Sequence, residues 1–243
     1  MVAKALSSIK EALPAGVELV AVSKFHPVDR LMEAYNAGQR IFAESRPQEL
    51  AAKVPEMPSD VRWHFIGHLQ TNKLKLVLPY VDLVQSVDSL HLLEAINAWG
   101  IANNKVTDIL LELHLGAEET KQGFTEAEIL SLLSSQLVLD TKTGCLVSGR
   151  AKNGMLDTKT GCLVSGGGVR IRGLMGMATN TDDMEVVEKD FERIERLFLE
   201  IKEMEIPGFE ELSIGMSGDW PVAVRHHATM VRIGTDIFGP REY

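Results

Sequence analysis

Apolar runs and helical periodicities alternate along the chain. VELVAVS (17–23) is rich in β-branched residues and predicts a strand. VDRLMEAYNAG (28–38) has helical spacing and closes on Gly38. The same alternation continues with strands predicted over 40–44, 63–67, 81–87, 108–115, 169–178, 211–216 and 229–234. Between them the pattern predicts helices over 47–54, 70–78, 89–103, 125–136, 183–204 and 219–228. Asp88 or Ser89 is placed to cap the 89–103 helix and Thr125 the 125–136 helix. The leading MVAKALSSIKEALP reads as a short amphipathic helix.

Strands that alternate with helices pair in parallel, because parallel neighbours need crossover connections. Eight such units predict an α/β fold, a closed (β/α)8 TIM barrel. A doubly wound open sheet is the alternative. The count of eight favours the barrel, as does the lack of a Gly-rich dinucleotide fingerprint after the first strand. GGGVRIRG precedes a strand and is not that motif.

The segment 137–168 interrupts this order. LDTKTGCLVSG occurs at 139–149 and again, identically, at 156–166. DTKTG between apolar flanks is a hairpin turn, with glycine supplying the left-handed position. The chain is therefore read as one domain, 1–243, carrying an inserted, duplicated β-hairpin segment. The insert is taken as a surface excursion on the face away from the catalytic loops, in preference to a partner-binding flap or a thiol pair.

Composition narrows the function. The net charge is −9 and no basic cluster relieves it, which argues against nucleic acid as a partner. No apolar run approaches bilayer length, and the N-terminus lacks the apolar block of a signal peptide. Two cysteines, Cys145 and Cys162, do not make a disulfide framework. These features predict a cytoplasmic protein with no membrane partner and no metal.

The active site of such a barrel lies at the C-terminal ends of its strands. Strand one ends at Lys24, strand two at Glu44-Ser45-Arg46, and strand three runs into Gly67-His68. Strand five contains His114, strand six carries Met175 and Met177, strand seven ends in GMSGD (215–219), and strand eight in RIGTDIFG (232–239). Barrels often hold a phosphate with the loops after strands seven and eight. Ser217-Gly218 opens a predicted helix, and Gly234-Thr235 adds N–H groups and a hydroxyl. Lys24 lies on the neighbouring first strand. A ligand with a phosphate at one end and a lysine-reactive carbonyl at the other satisfies this set. Pyridoxal 5′-phosphate is such a molecule, since lysine forms a Schiff base with its aldehyde.

AVSKFHPVDRLMEAYNAGQRIFAESRPQEL, WHFIGHLQTNK, VQSVDS, EETKQGF, RGLMGMA, LSIGMSGDW and MVRIGTDIFG together resemble the successive signatures of the YggS/PROSC family of pyridoxal-phosphate-binding proteins. The resemblance covers nearly the whole chain outside 137–168. That family is similar in fold to the N-terminal barrel of alanine racemases. The resemblance implies that Lys24 carries the cofactor as an internal aldimine. It implies that Ser217, Gly218, Gly234 and Thr235 hold the phosphate and that Arg232 faces the pyridine nitrogen. Ser45, His68 and Met216 complete the expected cofactor-binding set, and no catalytic residue is assigned. An arginine cannot give up its proton, so the ring nitrogen stays unprotonated and the cofactor is a poorer electron sink. The family reads Gly-Glu-Asn where this chain has Ala43-Glu44-Ser45, so Ser45 replaces an asparagine contact less directly.

The implied function is a binding protein for pyridoxal 5′-phosphate in intracellular cofactor homeostasis, handing the cofactor to apo-enzymes without robust catalysis. The alternative is a pyridoxal-phosphate-dependent amino-acid racemase. Racemisation needs a base on each face of the cofactor. In alanine racemases the second base is a tyrosine from a C-terminal domain, and this sequence ends at Tyr243, directly after the barrel. Tyr35 and Tyr80 fall on predicted helices. A monomer is expected. His64 is read as a buried structural histidine, and His68 is equally suited to the pocket or to solvent. Lys121 is read as an exposed loop lysine in preference to a second cofactor site. Met175, Met177 and Met216 are read as packing residues, Trp63 and Trp220 as anchors, and the charges of 183–204 as a solvated face.

Overall fold

The computed structural model describes residues 1–116, 122–136 and 167–240, with the backbone at 138–139 and 146–147. The strands are β1 (Glu18–Val22), β2 (Ile41–Glu44), β3 (Arg62–Phe65), β4 (Leu83–Val87), β5 (Thr107–Leu113), β6 (Val169–Gly176), β7 (Glu211–Ser213) and β8 (Met230–Ile233). They close into a barrel, each strand parallel to its chain neighbours and β8 paired back to β1 through Glu18–Met230 and Ala21–Ile233. The expected (β/α)8 barrel is therefore the fold.

Strand pleating sorts the side chains into two shells. Val20, Val22, Ile41, Ala43, Leu83, Leu110, Met175 and Met230 form one apolar cluster inside the barrel. The alternate positions, among them Leu19, Phe42, Trp63, Phe65, Ile109, Leu111, Leu212 and Val231, pack outward under the helices in a second, larger cluster.

The helices are α1 (Val2–Ala12), α2 (Val28–Asn36), α3 (Pro47–Lys53), α4 (Leu90–Asn103), α5 (Glu126–Ser131), α6 (Met184–Lys202), α7 (Trp220–Arg225) and α8 (Thr235–Phe238). α8 is only four residues long. The amphipathic α1 buries Val2, Leu6 and Ile9 and packs against α2 and α8, covering the wall that a full eighth helix would cover. The caps expected from sequence form. Ser89 Oγ accepts from Leu92 N–H, and Thr125 makes a reciprocal capping box with Glu128.

Four local expectations are corrected. The helix expected over 70–78 is a short 3-10 turn, Thr71–Leu76, because Pro79 disfavours helical backbone before it. The helix expected over 125–136 is α-helical only to Ser131 and continues as a π-turn. The helix expected over 219–228 spans only Trp220–Arg225. Tyr80 lies in a turn and not on a helix. The 183–204 helix also does more than face solvent: Glu195 and Glu188 accept from His226 at 2.7 and 3.0 Å, tying α6 to the end of α7.

In the insert, Val138–Leu139 pairs antiparallel with Leu146–Val147, Val138 opposite Val147. The second copy of the repeat, Cys145, Cys162, Lys121 and Tyr243 lie outside the described residues. Among the described residues no helix is long and apolar enough to cross a membrane.

Candidate functional site

The C-terminal mouth of the barrel gathers the loops that the sequence singled out. Lys24 is half-buried, two residues beyond the inward-facing Val22. It lies in the turn that follows β1. β8 lies beside β1, and Gly234 follows β8 immediately. A Cβ at position 234 would stand 3.1 Å from the Val22 carbonyl oxygen and 3.2 Å from its Cβ. Glycine is what lets this loop close onto the lysine-bearing strand.

Two sets of backbone donors converge here. The loop after β7 folds on Met216, whose carbonyl accepts from Asp219 N–H at 3.1 Å and Trp220 N–H at 2.9 Å. The Asp219 carboxylate in turn accepts from Met216 N–H. Ser217 and Gly218 make no backbone hydrogen bond in this turn, and neither do the N–H groups of Gly234 and Thr235 at the start of α8. The helix expected to open at Ser217 starts later, at Trp220, because Asp219 is spent on closing the turn. The Ser217 and Thr235 hydroxyls make no bond among the described residues either. Amides and hydroxyls of this kind on two adjacent loops are chemically suited to an anion.

Arg232, on β8 two residues before Gly234, is 4% exposed. Its Nη1 donates to the Ser213 carbonyl and to Ser213 Oγ, both at 2.7 Å, and its Nη2 to the Gly176 carbonyl at 2.9 Å. Burial lowers its pKa to about 10, with Glu112 and Asp219 opposing that shift. The group therefore stays cationic at neutral pH. Glu112, two residues beyond the inward-facing Leu110, is 7% exposed. Burial raises its pKa to about 7, the Asp88 carboxylate adds to the shift, and Arg232 opposes it. Burial likewise raises Asp219.

The remaining expected residues are distributed around this mouth. Ser45 is half-buried after β2, and a Cβ on Gly67 would stand 2.1 Å from the Ser45 carbonyl, so the loops after β2 and β3 interlock there. The His68 ring is half exposed, its Nδ1 3.0 Å from an Asp88 carboxylate oxygen. Met216 is 38% exposed, which corrects the expectation of a packing residue. Met175 is buried in the barrel interior, with Met177 packed against it. His64 is buried as expected, its Nδ1 2.9 Å from Gln85 Nε2. Trp63 is buried and Trp220 partly so, in agreement with anchoring roles. Tyr35 bonds Asp60 at 2.6 Å, near the start of β3 and away from the mouth.

Sequence reasoning missed Glu112, Gln85 and Ser213. Each is a polar residue at an inward position of its strand, and the alternation of faces along a strand was the available signal. It also missed a buried cluster behind β1 and β2. Phe42 faces outward, so Glu44 and Ser23 do too, into the space under α3. There Lys53 Nζ donates to Glu44 Oε1 at 2.8 Å, Glu49 Oε1 at 2.6 Å and the Ser23 carbonyl at 2.9 Å. Ser23 Oγ donates to Glu44 Oε1 at 2.6 Å, and Phe25 N–H to Glu49 Oε1 at 2.7 Å.

Comparison with known proteins matches this chain over residues 2–242 to the family described as alanine racemase, N-terminal domain. The pyridoxal phosphate homeostasis protein of Vibrio alginolyticus is 34% identical over 235 residues, covering 95% of this chain and 89% of that protein. The structure of PipY of Synechococcus elongatus without pyridoxal phosphate superposes with a TM-score of 0.81 at 32% identity, covering 98% of this chain and all of PipY. PipY with pyridoxal phosphate bound superposes with a TM-score of 0.78 at 31% identity, over the same shares of both chains.

Proposed function

Because the chain belongs to the alanine racemase N-terminal domain family, we propose that it binds pyridoxal 5′-phosphate at the barrel mouth and serves in cofactor homeostasis. One observation carries this reading. Among the described residues, four backbone N–H groups, on Ser217, Gly218, Gly234 and Thr235, have no backbone partner, and they lie on two loops near the strand that leads into Lys24. Such a donor set suits a dianionic phosphate, and the amine of Lys24 suits an aldehyde.

The bound cofactor would supply an aldehyde and an electron-withdrawing ring. The chain's residues do the rest. The two loops hold the phosphate. Arg232 has both Nη1 hydrogens and one on Nη2 committed to Ser213 and Gly176, which leaves Nε–H and a second Nη2 hydrogen for a ring nitrogen. A donor that keeps its proton leaves that nitrogen unprotonated, which weakens the ring as an electron sink and suits holding the cofactor better than turning over substrate. Ser45, His68 and Met216 would complete the lining of the cofactor site. Delivery to pyridoxal-phosphate-dependent apo-enzymes is the task this chemistry serves.

The test is the visible spectrum of the full chain titrated with pyridoxal 5′-phosphate, for wild type and Lys24→Ala, followed by borohydride and peptide mapping. A band in wild type only, and a borohydride-stable adduct on Lys24, support the reading. Equal spectra overturn it. Adding single-enantiomer alanine to the same sample separates a carrier, which leaves the enantiomer unchanged, from a racemase.

A further inference from the structure

We propose that Lys53 and Glu49 are positioning residues for Lys24, clamping the backbone on both sides of it from behind the barrel wall. The inference rests on the assignment of Lys24 as the aldehyde-binding lysine.

The geometry is specific. Ser23 precedes Lys24, and its carbonyl accepts from Lys53 Nζ at 2.9 Å while its hydroxyl donates to Glu44 at 2.6 Å. Phe25 follows Lys24, and its N–H donates to Glu49 Oε1 at 2.7 Å. The two anchors are one cluster, because Lys53 Nζ also bonds Glu49 and Glu44 directly. Lys53 is 6% exposed and Glu44 fully buried.

The clamp opposes a local strain. Phe25 has φ +69, a left-handed conformation that costs a bulky residue free energy. Nothing in its own side chain prefers that backbone. It is held by the Glu49 bond and by the Arg46 guanidinium stacked 4.4 Å over its ring. The outward register of Ser23 and Glu44 is what makes this arrangement work. The anchoring groups lie under α3, on the outer side of the barrel wall, and not among the loops of the barrel mouth. A buried ion cluster is a weak source of stability, because desolvation opposes the attraction, and here Glu44 is bonded through Oε1 while its Oε2 is buried with no partner among the described residues; the cluster's role is to fix geometry through the bonds it does make.

The experiment compares two ligands on the full-length protein. Pyridoxal 5′-phosphate engages both the cradle and the lysine. Pyridoxamine 5′-phosphate has no aldehyde and reports the cradle alone. Glu49→Ala removes the acceptor of the Phe25 N–H, whereas Glu49→Gln keeps a carbonyl oxygen there. Lys53→Met removes the centre of the clamp. Melting curves of the ligand-free variants are recorded alongside, and if Lys53→Met fails to fold, Glu49→Ala decides alone, since Glu49 is partly exposed.

Glu49→Ala and Lys53→Met are expected to weaken pyridoxal 5′-phosphate about tenfold, the equivalent of one lost hydrogen bond, and to leave pyridoxamine 5′-phosphate within about twofold. Glu49→Gln is expected to retain near wild-type affinity for both. Equal loss of both ligands, or loss of neither, overturns the proposal. Lys24→Ala run in parallel separates the two layers. If it keeps the visible band, the cofactor reading fails. If it loses the band while Glu49→Ala binds as wild type does, only the positioning role fails.

Discussion

Arg232 Nη1 stands 2.7 Å from Ser213 Oγ, and this contact sets the direction of hydrogen bonding through the barrel interior. Arginine offers no acceptor, so Ser213 accepts from it and donates to Gln85 Oε1, also at 2.7 Å. The Gln85 amide then donates to His64 Nδ1 at 2.9 Å and approaches Met230 Sδ at 3.3 Å. Nδ1 as acceptor puts the ring proton on Nε2, which is buried without a partner among the described residues. The row runs from the mouth down towards the opposite, N-terminal face. There Arg62 pairs with Glu18 and Arg170 with Asp108, around a cavity of about 370 Å³ that His64 also lines.

His64 should dominate the acid limb of stability. Burial, with Arg62 adding to it, lowers its pKa to about 3. The unfolded chain takes up the proton near pH 6.5 and the folded chain does not. The stabilising contribution is therefore complete above pH 6.5 and is lost as pH falls towards 3. Urea unfolding of wild type should show roughly 3 kcal/mol of loss between pH 7 and pH 4 from this group. His64→Gln should flatten that slope, and an unchanged slope would refute the neutral, buried assignment.

Glu112 should act in the opposite direction. Its folded pKa, about 7, exceeds the unfolded value of 4.5. Stability linked to it is present below pH 4.5 and is lost as pH rises through 7. Glu112→Gln should then be more stable than wild type at pH 8.5 by roughly 2–3 kcal/mol, and equal to it near pH 4. Chemical denaturation at the two pH values checks this. A variant less stable at pH 8.5 would mean that the ionised carboxylate is a net asset to Arg232.

The two cradle glycines should differ. A Cβ at position 234 meets Val22 at 3.1–3.2 Å, whereas one at position 218 meets nothing within 4 Å. Gly234→Ala should lower the melting temperature and weaken pyridoxal 5′-phosphate, because the loop must draw back from β1. Gly218→Ala should leave the melting temperature unchanged. Equal melting temperatures for the two variants would show that the Gly234 loop yields at no cost.

The sequence alone determined the architecture. Apolar runs separated by helical spacing admit few parallel arrangements, and eight of them close a barrel, as β1 through β8 do. It also marked Lys24, Ser217-Gly218 and Gly234-Thr235, because the chemistry of a barrel collects at strand ends and those ends can be read along the chain. The tertiary structure decided what a linear reading could not. Glu112 and Arg232, on different strands, come within electrostatic reach of each other, and Lys53 reaches Ser23 over 30 residues of chain. The pKa of a carboxyl such as Glu112 depends on burial, which only closure of the barrel creates. The left-handed backbone at Phe25 has no sequence signal, because no glycine or asparagine announces it. It persists because groups distant along the chain hold it.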